Sequence, residues 1–219
     1  MGGDNFSTQI FLVYFVHFYG VKKVKMVKRH HPIYLETINL LANGASSRTS
    51  EFHQFVFSSL NVDQVQSRYV VLRNFIEEDH NLIFFTDQRS PKVNAILKNS
   101  RTECLFYDNV KKIQLRIKTQ SYILNDKKKI SEYWEKVPIV SRQSYSTQLP
   151  PSTVIKGEQI DPSNGLSLEE DHNEKSFCNF CVIENYIKEI DFLSLTSSPH
   201  KRISITIDNT KIIIQDLIP

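Results

Sequence analysis

Apolar and polar positions follow two rhythms along this chain. Between residues 111 and 120 (KKIQLRIKTQ) the period is two: Ile113, Leu115 and Ile117 fall on one face and Gln114, Arg116 and Lys118 on the other, as a half-buried strand requires. Apolar runs rich in β-branched and aromatic residues recur at short spacing at 52–60, 67–75, 81–86 and 102–107. They return at 177–184 and in a terminal hairpin, 203–207 and 211–215, turned by Asp208-Asn209. The helical period appears in three places. Pro32 to Ala42 sets Ile33, Leu35, Ile38, Leu41 and Ala42 near one face, with Pro32 in the first turn and Asn43-Gly44 as the stop. Ser90-Pro91 followed by Val93, Ile96 and Leu97 supplies an N-cap, a first-turn proline and an apolar stripe. Ser131 to Val137 is a shorter helix halted before Pro138. Strands this close in sequence pair antiparallel and form a barrel or sandwich, so the fold expected is mainly β with a few helices.

Length and composition narrow the picture. The 219 residues suit a single domain over 26–219, interrupted by a polar loop at 141–176 and preceded by an extension, 1–25. In that extension the apolar run Ile10 to Tyr19 falls short of the roughly 20 residues a membrane helix needs. Its lysines follow the run, whereas a signal peptide places them before it. Lys and Arg number 27 against 24 Asp and Glu, a net charge of +3 that forces neither a nucleic-acid nor an anionic-membrane partner. Six glycines argue against a glycine-built phosphate loop. Three cysteines, an odd and small number, fit a reducing compartment and hence the cytoplasm. Cys178-Asn179-Phe180-Cys181 lacks a second Cys/His pair and reads as sheet residues rather than a metal site. Lys127-Lys128-Lys129 reads as a solvated turn.

Candidate chemistry concentrates between Arg68 and Lys92 (RYVVLRNFIEEDHNLIFFTDQRSPK). Arg68 and Arg73 bracket one strand, Phe85-Thr86 ends the next, and RSPK opens a helix. The unpaired N–H groups and positive pole of a helix N-terminus favour a phosphate, and Arg68, Arg73, Ser90 and Lys92 add donors and charge. The order R-x-V-x-L-(K/R), TDQRSPK, LFY and Gln114-Leu115-Arg116 resembles the pyridoxamine 5′-phosphate oxidase family, most closely its branch written TDxRSxK. Tyr133-Trp134 and the run DFLSLTSSPHKR…DLIP extend the resemblance over residues 32–219.

That resemblance implies a split β-barrel homodimer with FMN at the subunit interface. By position, Arg68, Arg73, Ser90 and Lys92 would hold the FMN phosphate, and Val70, Leu72, Phe85 and Thr86 would lie along the flavin and ribityl chain. Gln114 and Arg202 would come from the second subunit. Tyr133, Ser141 and His200 would face the substrate. Arg202 and His200 are the expected catalytic pair, the first countering negative charge on the reduced flavin and the second positioning substrate. Four positions depart from the family pattern: Arg73 replaces a usual Lys, Pro91 an Arg, and Val137 and Ser198 stand where substrate arginines belong. Each lost guanidinium removes charge-assisted bonds worth about 1.5–3 kcal/mol, so vitamin B6 phosphates are expected to be poor substrates. The expected function is an FMN-dependent oxidoreductase with an altered small-molecule site and no metal. The alternative is a flavin- or haem-binding split barrel without turnover.

Overall fold

A computed structural model describes residues 25–26, 31–154, 176–196, 199–208 and 211–219. Strand β1 (Lys25–Met26) and helix α1 (Pro32–Ser46) lead into the hairpin of β2 (Gln54–Asn61) and β3 (Gln64–Val71). Then come the hairpin of β4 (Asn74–Ile76) and β5 (Asn81–Asp87), helix α2 (Pro91–Lys98), β6 (Arg101–Asp108) and β7 (Ile113–Ile123). Helix α3 (Lys127–Glu135) and the single turn α4 (Ile139–Arg142) precede β8 (Phe180–Ser194), β9 (Lys201–Asp208) and β10 (Lys211–Leu217).

Neighbouring strands are antiparallel throughout, in the order β1-β10-β9-β8-β7-β6-β2-β3, with β5 joined to β8 and β4 to β5. The 15-residue β8 is the spine. Its first half lies between β5 and β7, its second between β7 and β9. At the changeover, Lys118 pairs with Glu189 but Thr119 with Ile187, leaving Lys188 unopposed. Such a bulge bends a strand and tightens its twist, and here it lets the sheet part into two arms, as in a split barrel.

The strand alternation decides the core. Ile113, Leu115 and Ile117 are buried beneath β7, while Gln114, Arg116 and Lys118 face away. Phe55 stacks on Phe106 at 4.6 Å between ring centroids, and Phe57 tilts against Phe84 at 4.8 Å. Each such buried side chain contributes about 1.5–3 kcal/mol. A second, smaller cluster gathers Trp134, Val137, Phe180 and Val182 beneath α3, with Phe85, Tyr133 and Tyr145 packed against it.

Several expected boundaries move for identifiable reasons. Helix α1 does not stop at Asn43-Gly44 but runs on to Ser46. A Cβ on Gly44 would stand 2.6 Å from the Phe52 carbonyl oxygen, so glycine there permits a close backbone approach instead of a stop. The 67–75 run breaks at Leu72-Arg73, where the Leu72 N–H donates to His53 and the Arg73 N–H to Ile83. The lysine run is solvated, as expected, but it is helical rather than a loop turn. The Asp126 carboxylate accepts from the N–H groups of Lys128 and Lys129 at 3.0 and 3.2 Å, which makes 127–129 the first turn of α3. Residues 176–179 form a helical turn, so β8 begins at Phe180 and extends ten residues beyond the expected 184. Cys178 is therefore exposed outside the sheet and Cys181 buried within it, both as free thiols.

Part of the expected long loop is structured as α4 and a 3-10 turn, Gln143–Tyr145. Residues 155–175, the apolar run 10–19, Asn209 of the expected hairpin turn and Ser198 lie outside the described residues. Among the described residues no helix is long and apolar enough to cross a membrane, and no cluster of His, Cys, Asp or Glu could hold a metal ion.

Candidate functional site

Strand β5 delivers Thr86 and Asp87 to the turn that opens α2, and the neighbouring hairpin brings Arg68. Ser90 occupies the N-cap position, but its hydroxyl makes no cap bond. It accepts instead from the Lys92 ammonium at 2.6 Å, and Lys92 also donates to the Thr86 hydroxyl at 2.9 Å. No side chain caps the N–H groups of α2, but the Val93 N–H already donates to the Ser90 carbonyl at 2.9 Å and Pro91 has no N–H to offer. Burial lowers the Lys92 pKa, the charge of Arg68 lowers it further, and Asp87 acts in the opposite sense. Arg68 donates to the Ser59 hydroxyl at 2.8 Å, lies 5.9 Å from the Phe57 ring centroid, and has its own pKa lowered by burial. Asp87 is already engaged by Arg89, whose Nη2 is 2.6 Å from Oδ2. Two partly desolvated cations beside the positive end of a helix favour the entry of an anion.

No pattern in the sequence gives Arg89 a role, yet it organises the turn. While paired to Asp87 it donates to the Thr147 carbonyl at 2.9 Å and to the Thr147 hydroxyl at 3.2 Å. It thereby pins the segment after α4 across the turn. The Asn179 amide donates to the Tyr145 carbonyl at 2.8 Å, and the Gln88 amide donates to the Cys178 carbonyl, which fastens the same cover from a second side. Burial pushes the Tyr145 hydroxyl up to about 12, so it is neutral at ordinary pH.

Arg73 does not join Arg68 and Lys92. It lines an adjoining pocket of about 270 Å³, together with Leu72, Phe85, Tyr133 and Val137. Its guanidinium lies over the Phe85 ring at 5.8 Å. Leu72 is fully buried, with its N–H donated to the His53 carbonyl at 2.8 Å, and Val70 packs against the main core. Tyr133 meets Phe85 edge-to-face at 5.5 Å and accepts from the Asn74 amide at 3.4 Å. Val137 is 6% exposed and belongs to the smaller apolar cluster. Ser141, on α4, is exposed and does not line this pocket.

The remaining expected residues collect elsewhere. Gln114 on β7 and Arg202 on β9 flank Leu193 of β8 in direct register, so all three share a face. Arg202 donates to both carboxylate oxygens of Asp191, Nε to Oδ1 at 3.0 Å and Nη2 to Oδ2 at 2.7 Å, and Arg116 pairs with the same group. Arg202 first, with help from Arg116, holds Asp191 below the usual carboxylate range against the opposing pull of burial. His200 is exposed just before β9. Thr86 pairs with Cys181 at the start of β8, whereas Gln114 and Arg202 stand at Leu193. Twelve residues separate those two points of β8. At about 3.3 Å per residue they span up to about 40 Å along the strand. The two groups therefore occupy opposite ends of one chain's spine.

Residues 31–125 match a family model described as the FMN-binding domain of pyridoxamine 5′-phosphate oxidase. Among solved structures, a pyridoxamine 5′-phosphate oxidase-related, FMN-binding protein from Nostoc punctiforme PCC 73102 superposes with a TM-score of 0.65 at 17% identity, covering 86% of this chain and 98% of the other. PhzG from Burkholderia lata 383, solved with tetrahydrophenazine-1-carboxylic acid, gives 0.65 at 17% identity over 86% of this chain and 93% of its own. A general stress protein 26-related protein from Clostridium acetobutylicum gives 0.50 at 12% identity, with 80% and 95% covered. No curated protein sequence matches the chain. The fold is that of the FMN-binding split β-barrels.

Proposed function

We propose that this chain, whose residues 31–125 match the family model of the pyridoxamine 5′-phosphate oxidase FMN-binding domain, binds FMN between two copies of itself and acts as an oxidoreductase on a small molecule. The observation that carries the reading is Lys92, fixed between the Thr86 and Ser90 hydroxyls beside Arg68 at the mouth of α2. This donor set suits a phosphate: it combines two cations and a rotatable hydroxyl at the positive end of a helix. When bound, FMN would supply reversible hydride acceptance.

The chain's own residues would bind and orient. Lys92, Arg68 and Ser90 would hold the phosphate; Thr86 and Phe85 would border the flavin, with Val70 and Leu72 nearby. Tyr133 and Phe85 would wall the substrate side, and His200 would position substrate. Gln114 and Arg202 belong to the same site through a partner subunit, because within one chain they lie at the far end of β8 from Thr86. A two-fold pairing satisfies both sites at once. Asp191 would keep Arg202 extended in one orientation while Arg202 counters negative charge on the reduced ring. With Val137 buried in an apolar cluster, vitamin B6 phosphates should turn over poorly. The free cysteines accord with a cytoplasmic setting.

The test is direct. Purified with added FMN, the protein should retain flavin through gel filtration, titrate to saturation, and scatter light as a dimer. Absence of saturable flavin binding would defeat the reading, and a flavin-loaded monomer would defeat its two-subunit site.

A further inference from the structure

Two arginines converge on one carboxylate beside the residues expected to meet the flavin. On that face of the sheet, cross-strand register sets out two rows. One runs Tyr107, Gln114, Leu193, Arg202 and Leu217 from β6 to β10, and its single charge is Arg202. The next runs Leu105, Arg116, Asp191, Ser204 and Gln215, and its charges are Arg116 and Asp191. Arg202 by itself would cancel Asp191, since its two parallel bonds, at 3.0 and 2.7 Å, already make a closed pair. Arg116 nevertheless donates to Oδ2 of the same carboxylate from β7. Two guanidinium groups and one carboxylate leave a balance of +1. Asp191 stays ionised, because Arg202 first and Arg116 after it hold its carboxyl below the usual range although burial opposes them. The Asp191 side chain is 12% exposed, against 46% for Arg116 and 29% for Arg202, so the negative member is sunk and the positive ones face outward. The following row, Glu103, Lys118 and Glu189, has one negative charge in excess. It stands about 13 Å along β7 from Gln114, and its exposed groups are screened by water and salt.

We propose that Arg116 is a positioning residue for the flavin chemistry: by balancing Asp191 it leaves Arg202 an uncancelled positive charge with which to meet the flavin held by the other subunit. The proposal rests on the FMN reading and deepens it. Hydride acceptance adds negative charge to the ring, so surplus positive charge nearby favours the reduced state over the oxidised one. Without Arg116 the Arg202–Asp191 pair is neutral and acts on the ring only as a dipole. Arg116 stands two residues along β7 from Gln114, about 7 Å. A unit charge acting over about 10 Å at an effective dielectric of about 20 changes a ratio of affinities about tenfold. For a two-electron couple, tenfold is about 30 mV.

Reductive titration of the FMN-loaded protein against a reference dye measures the potential, and fluorescence titration measures the affinity for oxidised FMN. Arg116→Gln should lower the potential by about 30 mV while leaving the affinity for oxidised FMN nearly unchanged. Arg116→Lys, which keeps the charge, should hold most of the wild-type potential. The double variant Arg116→Gln with Asp191→Asn restores the balance of +1 although both ion pairs are lost, so its potential should return towards wild type. A role confined to bracing the sheet predicts no such recovery. An unchanged potential in Arg116→Gln, or a double variant no closer to wild type than that single one, would overturn the proposal while flavin binding stands. A wild-type protein that binds no flavin would refute the FMN reading itself, and the proposal with it.

Discussion

Replacing Lys92 with Met separates what the ammonium does for the fold from what it does for a phosphate. Met keeps most of the apolar stem and removes the charge. In the ligand-free chain that charge is unfavourable, because burial and Arg68 lower the Lys92 pKa. The sign follows from proton linkage. Between its lowered folded value and the ordinary value of about 10.4, Lys92 binds fewer protons folded than unfolded. Wild-type stability therefore rises as pH climbs through that window, and below it the charged lysine opposes folding. In the other direction, the Thr86 and Ser90 hydroxyls lose a donor, at 2.9 and 2.6 Å. Each such bond is worth about 0.5–1.5 kcal/mol. These effects oppose one another, so the ligand-free melting temperature should move by only a few degrees, roughly the response to 1 kcal/mol or less. If Lys92 holds the phosphate as proposed, FMN should lose a charge-assisted contact of about 1.5–3 kcal/mol, weakening its Kd about 10- to 150-fold. Flavin fluorescence titration and thermal denaturation of the flavin-free protein measure the two quantities separately. Full FMN affinity in a folded Lys92→Met protein would refute the phosphate assignment; loss of the fold would make Lys92 a structural residue.

Other perturbations probe the scaffold. Gly44→Ala should destabilise the chain by about 1–3 kcal/mol, because a backbone carbonyl rather than a flexible side chain blocks the new methyl; an unchanged urea midpoint would contradict this. Arg89→Gln should release the Thr147 segment, with proteolysis between 147 and 153 several-fold faster and FMN dissociation accelerated. Cleavage at the wild-type rate would show that the clamp holds nothing. Asp191→Asn should lower stability at neutral pH. The lowered carboxyl contributes above its unfolded value of about 3.9 and ceases to as pH falls through its folded value, so wild type and variant should converge in strong acid. A gap that persists at about pH 2 in urea denaturation would exclude charge as the cause.

Local signals in the sequence make part of this molecule legible. The alternation at Ile113, Leu115 and Ile117 settles which face of β7 is buried, and Ser90-Pro91 places the start of α2. The part of β8 beyond residue 184 is hidden because sheet neighbours satisfy its polar residues. Asn185 is wholly buried yet donates to the Leu82 carbonyl at 2.7 Å and accepts from the Ser121 hydroxyl at 2.6 Å, and Asp191 is matched by two arginines. TDQRSPK discloses the cation cluster but not the destination of Arg89, whose partner Thr147 is 58 residues away. Spacing groups Arg73 with Arg68, although the break after β3 redirects it to the other pocket.

The length of β8 has a consequence for mixed populations of chains. With the Lys92 cluster at one end of this spine and Arg202 at the other, the proposed paired site would draw one end from each chain. In such a dimer, a chain carrying Lys92→Met and a chain carrying an Arg202→Gln lesion each spoil both sites of their own homodimer. In a hybrid pair both lesions fall into the same site, and the other site is wholly wild type. Unfolding and refolding equal amounts together should make about half of the pairs hybrid and restore about a quarter of all sites. Tight flavin binding and any turnover would then reappear from two defective preparations, with recovery following the product of their concentrations, whereas a site contained within one chain would recover nothing.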